Sequence, residues 1–258
     1  MLQIEDRGAV RYLTMNAPER LNALSDEMLA DLTAALTDLQ ASPIRAVVLS
    51  GSGRAFCAGH DLKQMTAGRA AEDGGAGYFK DLFDRCAAMM RLIREVPQPV
   101  IAQVHGIATA AGCQLVASCD MAVAASGTRF GVNGVNIGLF CSTPMVALSR
   151  NISRKKTFEM LTTGRFLNAQ EALEAGLLNR VVAPEDLEAA ASELAETVAS
   201  KLGAAVKLGK SAYYKQLEMG VDAAYAFTGD VMVENMLNSH TEEGIKAFLE
   251  KRDPDWAQ

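Results

Sequence analysis

Histidine is scarce in this chain. Its three histidines, His60, His105 and His240, show no metal-ligand spacing, which argues against a bound metal. The five cysteines (Cys57, Cys86, Cys113, Cys119 and Cys141) are odd in number and include no CxxC pair. They read as reduced thiols in a cytoplasm-like compartment. Positive charge is short as well: 25 Lys and Arg against 31 Asp and Glu leave a net charge of −6. A nucleic-acid partner is not expected on that balance. No apolar run reaches membrane-spanning length, so no membrane partner is expected either. The opening Met1-Leu2-Gln3-Ile4-Glu5-Asp6 is short and acidic, unlike a transit peptide. These absences together suggest a cytoplasmic protein.

What is present favours an ordinary packed domain. Of the 258 residues, 49% are hydrophobic, enough for one large core with a small appendage. Two strands are predicted over 2–15 around Arg7-Gly8, with Val10, Tyr12 and Thr14 on one side and Leu13 and Met15 on the other. Ser25 is placed to cap a helix carrying Met28, Leu29, Leu32, Leu36 and Leu39 at helical spacing. Ala46–Leu49 is a continuous apolar run, the mark of a strand buried on both faces. Further strands are predicted over 100–104 and 121–125. Residues 67–77 lack apolar periodicity and read as a mobile loop before a helix over 78–94.

The last third is mainly helical. Asn168 with Glu171 predicts a capping box, and Gly176 the end of that helix. A short strand is expected over 178–182. Helices follow from Pro184 to about 200, then over 204–217, 223–238 and 241–252. The expected class is α/β, a mixed core with a helical C-terminal region.

Two glycine motifs fail. Gly209-Lys210-Ser211 lacks the glycine that a phosphate-binding loop needs at position 204, which is Ala. Gly51-Ser52-Gly53 has Phe56 where a dinucleotide fingerprint needs its third glycine. Two other segments carry more. In Arg54–Lys63, Gly59 permits an unusual backbone angle and Asp61 can cap a helix, leaving the His60 N–H pointing outward. In Ala108–Leu115, the Ala111 N–H lies at the positive end of a short helix. These are either two ordinary tight turns or two donors converging on one oxygen.

The order of several segments resembles the crotonase, or enoyl-CoA hydratase/isomerase, superfamily. They are Asn16-Ala17-Pro18-Glu19-Arg20-Leu21-Asn22-Ala23-Leu24, Phe56-Cys57-Ala58-Gly59-His60-Asp61-Leu62, Ala111-Gly112-Cys113-Gln114-Leu115, Thr163-Gly164-Arg165 and Ala247-Phe248-Leu249-Glu250-Lys251-Arg252. The resemblance covers essentially the whole chain. It implies a spiral of ββα turns over residues 1–200 holding an acyl-CoA thioester. It also implies a helical trimerisation region over 201–258, and so a homotrimer or dimer of trimers. Coenzyme A would be part of the substrate, with no separate cofactor. The His60 and Ala111 N–H groups would form an oxyanion hole. Arg20, Asn22, Ala23 and Ala58 would line the CoA channel. Asn136 and Cys141 would face the acyl group, and Phe248 and Lys251 would approach CoA from a neighbouring subunit.

Hydratases of this family use two glutamates, and here those positions are Gln114 and Gly134. An amide can orient water but cannot take its proton, and glycine offers nothing. Without general acid–base help, worth roughly 10²–10⁴ in rate, hydration should be weak or absent. The His60 ring faces solvent or CoA phosphates, or else replaces a missing base. Cys141 is either a nucleophile or a buried inert thiol. Asp120 reads as an anchor for a turn. The chain is therefore an enzyme on CoA thioesters with doubtful hydratase activity, a non-catalytic acyl-CoA binder, or an assembly protein.

Overall fold

The computed structural model describes residues 1–256. The N-terminal alternation folds as a hairpin, β1 (Leu2–Arg7) antiparallel to β2 (Val10–Met15), with Gly8 at φ +60° in the reversal. From β2 the main sheet continues in parallel through β3 (Ala46–Gly51), β4 (Val100–Val104), β6 (Met121–Ala125) and β9 (Arg180–Val182). A second sheet joins β5 (Ile107–Thr109), β7 (Arg129–Gly131) and β8 (Leu167–Asn168). β1 is the solvated edge, and its Glu5, Asp6 and Arg7 discourage further strand pairing.

Successive side chains on a strand point to opposite faces, and both faces of this sheet are covered. Leu13, Met15, Val47, Leu49, Val100 and Ala102 pack with α1 (Asp26–Asp38), α3 (Ala76–Glu95) and α4 (Ala111–Ser118). Val10, Tyr12, Ala46, Val48, Ile101 and Val123 meet α8 (Leu187–Ala199). That helix offers Ala191, Ala195 and Ala199 at four-residue spacing, so a nearly smooth face lies against the strands. The continuous apolar run of β3 follows from this double coverage. Among the described residues no helix is long and apolar enough to cross a membrane.

One expectation changes. The segment 67–77 is not a single loop: Ala67 and Gly68 finish α2 (Leu62–Gly68), and α3 begins at Ala76. The turn between is held by Asp73, whose carboxylate accepts the N–H groups of Gly75 and Gly77 at 2.8 Å each. Side-chain capping of this kind leaves no apolar periodicity to read.

The remaining helices are α5 (Pro144–Asn151), α6 (Arg154–Thr163), α7 (Ala169–Glu174), α9 (Gly203–Gln216), α10 (Val221–Met236) and α11 (Ser239–Glu250). The capping box at Asn168 and Glu171 forms, and Gly176 follows α7 at φ +86°. In α9, Lys210 is buried. Its ammonium donates to the carbonyls of Ile93 and Gln98, at 2.8 Å each, and to the Asp120 carboxylate at 2.7 Å. Asp120 also accepts the Val100 N–H and the Tyr214 hydroxyl. It thereby ties the start of β4 to α9. Burial pulls the Lys210 pKa down, and the Asp120 charge opposes that shift.

Removing one partner of a buried pair strands the other charge, at a cost of about 3–5 kcal/mol. Lys210→Met should lower unfolding free energy by about that much in urea titrations. The Lys210→Met, Asp120→Asn double variant should lose less than Lys210→Met alone. A loss below about 1 kcal/mol, the usual value of a surface pair, would mean that the tether does not hold α9.

Candidate functional site

The site grows from the end of β3. Beyond Gly51 the chain runs through Phe56 and Cys57 to Gly59, and the preceding loop braces it. The Asn22 side chain is fully buried; it accepts the Ala17 N–H and donates to the carbonyls of Ser52 and Ala55. The Ala58 N–H donates to Leu21 O, and the Leu24 N–H to Gly59 O at 2.7 Å. Gly59 adopts φ +91°, as its place in the turn demands. Asp61 then caps α2, accepting the N–H groups of Lys63 and Gln64.

The second strip comes from β5 and enters α4. Cys57 and Ala108 pair in parallel: the Cys57 N–H donates to Ile107 O at 3.2 Å, and the Thr109 N–H to Cys57 O at 3.0 Å. His60 and Ala111 each stand three residues beyond that pair, one on each strip. The two strips touch there. A Cβ placed on Gly59 would lie 3.0 Å from the Ala110 Cβ and 3.4 Å from the Ala111 nitrogen. One placed on Gly112 would lie 2.2 Å from Cys57 O, so only glycine permits this approach. Among the described residues, neither the His60 N–H nor the Ala111 N–H has an acceptor. Ala110, between β5 and α4, is held at φ +50°, ψ −119°. An alanine in that region costs on the order of 1–3 kcal/mol.

The proposed acyl side of the site is closed more tightly than the sequence suggests. A Cβ at Gly134 would lie 2.3 Å from Leu139 O and 2.9 Å from the Cys141 Sγ. The space a side chain at position 134 would need is therefore filled by backbone and sulfur. Burial pushes the Cys141 thiol pKa up, which keeps it protonated and favours the inert-thiol reading. Gln114, one turn after Ala111, is only 4% exposed, and its Oε1 has no partner. It also lines a cavity of about 800 Å³ enclosed by α3, α4, α5 and α9.

Other anticipated residues fall in varied places. Arg20 is exposed, with its guanidinium 3.6 Å from Asp61 beside the His60 loop. Ala23 is buried and Ala58 half-buried along the same loops. Asn22 belongs to the frame rather than to a channel wall, because its three hydrogen bonds are internal. Asn136 is exposed and packs over Gly164 at the end of α6, where a Cβ would meet its amide at 2.6 Å. Phe248 and Lys251 stand in solvent on α11 and its C-cap. The His60 ring is not turned to solvent. It meets the Phe83 ring edge-on at 5.6 Å, with both ring nitrogens buried and unpartnered, and burial lowers its pKa.

Sequence reasoning missed Phe83 and Thr109, whose hydroxyl donates to the Asn133 Oδ1 at 2.5 Å. It also missed the arginines around the cavity. Arg91 and Arg94 are three apart on α3, and that spacing was the available signal.

Residues 5–258 match the Enoyl-CoA hydratase/isomerase family. The mitochondrial enoyl-CoA hydratase domain-containing protein 3 of Rattus norvegicus is 44% identical over 252 residues, covering 97% of this chain and 82% of that protein. The crystal structure of human enoyl Coenzyme A hydratase domain-containing protein 3 superposes with a TM-score of 0.94 at 42% identity, covering 99% of both chains. That of an enoyl-CoA hydratase from Mycobacterium smegmatis gives 0.95 at 50%, covering 100% of this chain and 99% of the other. The expectation of a cytoplasmic location is corrected by these relatives, since the rat, mouse, frog, human and zebrafish proteins are all named mitochondrial. Reduced cysteines and an acidic balance report redox state and solubility, and neither specifies a compartment. With a match along nearly its whole length and the same fold, the chain belongs to the enoyl-CoA hydratase/isomerase family.

Proposed function

We propose that this chain binds an acyl-CoA thioester and acts on it by stabilising an enolate between the His60 and Ala111 N–H groups. What supports the reading is that neither N–H has an acceptor among the described residues and that the two segments carrying them meet at Gly59 and Ala111. When a proton leaves the α-carbon, negative charge moves to the thioester oxygen. Donors already aimed at that oxygen hold the charge without reorganising, and losing one costs about 2.7–4 kcal/mol. Coenzyme A enters as part of the substrate, and no further cofactor is needed for this step. Arg20, Ala23 and Ala58 lie along the loops that would border its path.

Ordinary hydration is not the expected strength of this site. Water needs a base, and Gln114 cannot serve as one. The space beside Gly134 is taken by Leu139 and Cys141. The same two facts favour a second reading, a protein that holds acyl-CoA without turning it over.

The oligomer belongs to the proposal as well. Residues 1–200 would carry the thioester site and residues 201–258 the self-association, as a homotrimer or dimer of trimers; residues 257–258 lie outside the described part. α10 buries none of its residues, and Tyr225, Val233 and Leu237 are exposed. A helix apolar on several sides needs cover from another surface. Phe248, 82% exposed, would then reach a neighbour's CoA together with Lys251.

Calorimetry should give one saturated acyl-CoA bound per chain. Exchange of its α-hydrogens in D₂O, followed by NMR, reports enolate formation without presupposing a product. Ala111→Pro removes one donor; because Ala110 before it is held at φ +50°, ψ −119°, an unchanged melting curve is required before its exchange rate is compared. The variant should cut that exchange by about 10²–10³. Binding with no exchange in the wild type would favour the non-catalytic reading, and absence of binding would defeat both. Crotonyl-CoA hydration should run roughly 10²–10⁴ below that of a relative with both glutamates. Gly134→Glu should destabilise the fold by about 1–3 kcal/mol or more through overpacking, read as a lowered melting temperature, instead of restoring activity.

A further inference from the structure

The cavity behind α4 has a chemistry that the thioester reading leaves unused. Its volume, about 800 Å³, lies within the range of small-molecule sites. Gln114 forms part of its wall, one helical turn beyond Ala111, so the two residues share a face of α4. Its Oε1 is buried without a partner, which is unusual for a side chain that no ligand touches.

The charges in the cavity do not balance. Arg91 stands at the rim and has no carboxylate partner among the described residues. Arg94, one turn further along α3, stacks on the ring of Tyr214, with 4.4 Å from guanidinium carbon to ring centre, and has no carboxylate partner among the described residues. Arg150 on the opposite wall is offset by Glu218 at 3.8 Å. The Asp120 carboxylate is already taken up by Lys210 and Tyr214. Two guanidinium groups thus remain over a cavity whose wall mixes polar groups such as Ser118, Thr143 and Asn151 with apolar side chains such as Met90, Val146 and Leu217.

We infer that this cavity receives the far end of the acyl group and that this end carries a carboxylate. The substrate class is then a CoA monothioester of a dicarboxylic acid. Its methylenes would pass Gln114 along the apolar wall, and its free carboxylate would meet Arg91 and Arg94. Arginine presents paired donors that match a carboxylate, which a methyl-ended chain cannot use. This inference rests on the proposed thioester site at His60 and Ala111.

The test compares two saturated CoA thioesters of equal length by calorimetry: hexanoyl-CoA and the monothioester of adipic acid. The wild type should bind the carboxylate-ended ester about tenfold tighter or better, the effect of one charge-assisted contact. Arg91→Met and Arg94→Met should each reduce that preference while leaving hexanoyl-CoA affinity unchanged. Excess inorganic phosphate should not abolish the preference; if it did, the cavity would be a general anion site and the assignment would fall. Equal or weaker binding of the carboxylate-ended ester would also overturn it, with the thioester site left standing. Failure of both esters to bind would remove the thioester site and this inference together. Arg94→Met also loses the stacking on Tyr214, so the wild-type comparison and the exposed Arg91 variant decide the matter even if that protein unfolds.

Discussion

The candidate site depends on one short parallel pairing, Cys57 against Ala108. Two hydrogen bonds to its backbone, from Cys57 to Ile107 O and from Thr109 to Cys57 O, align the entry to α2 with the entry to α4. Each strip turns at a positive-φ residue two positions later, Gly59 on one and Ala110 on the other, just before His60 and Ala111. Much of the surrounding structure serves that alignment. Asn22 clamps the loop before it, Gly59 supplies the left-handed turn, and Gly112 lets α4 approach to within contact of Cys57 O. A one-residue slip would bury one donor and misplace the other.

The strain sits beside the donors. Ala110 holds a conformation that glycine would adopt freely, and the sheet pairing and the Gly131 carbonyl, which accepts its N–H at 2.9 Å, keep it there. Gly134 shows the opposite economy. There the absent side chain is replaced by a turn folded so closely that no Cβ can enter. Gln114, one turn into α4, keeps a buried amide oxygen with no hydrogen-bond partner among the described residues.

Much of the fold was legible because it follows local rules. The Ser25 cap, the Asn168–Glu171 capping box, the hairpin at Gly8 and the buried strands each depend on a few neighbouring residues. The two candidate donor positions carried local signals, a glycine turn and a helix start, but those signals left two ordinary tight turns open as the alternative. Other features were not. The inward stacking of the His60 ring on Phe83, the internal use of Asn22 and the closure beside Gly134 all depend on residues distant in the chain. Lys210 was seen only as part of a failed motif, because its partner Asp120 lies 90 positions away.

The sequence by itself determined the strands of the main sheet, most of the helices, two loops whose amides could face outward, and that positions 114 and 134 carry no carboxylate. Periodicity, capping chemistry and side-chain identity are local quantities that folding does not alter. Only the tertiary structure decided that the two loops meet at Gly59 and Ala111, that a side chain at 134 has no room, and that Arg91 and Arg94 overlook a cavity reaching Gln114. Those are distances between remote segments, and they are set by how α3, α4, α5 and α9 pack around the sheet.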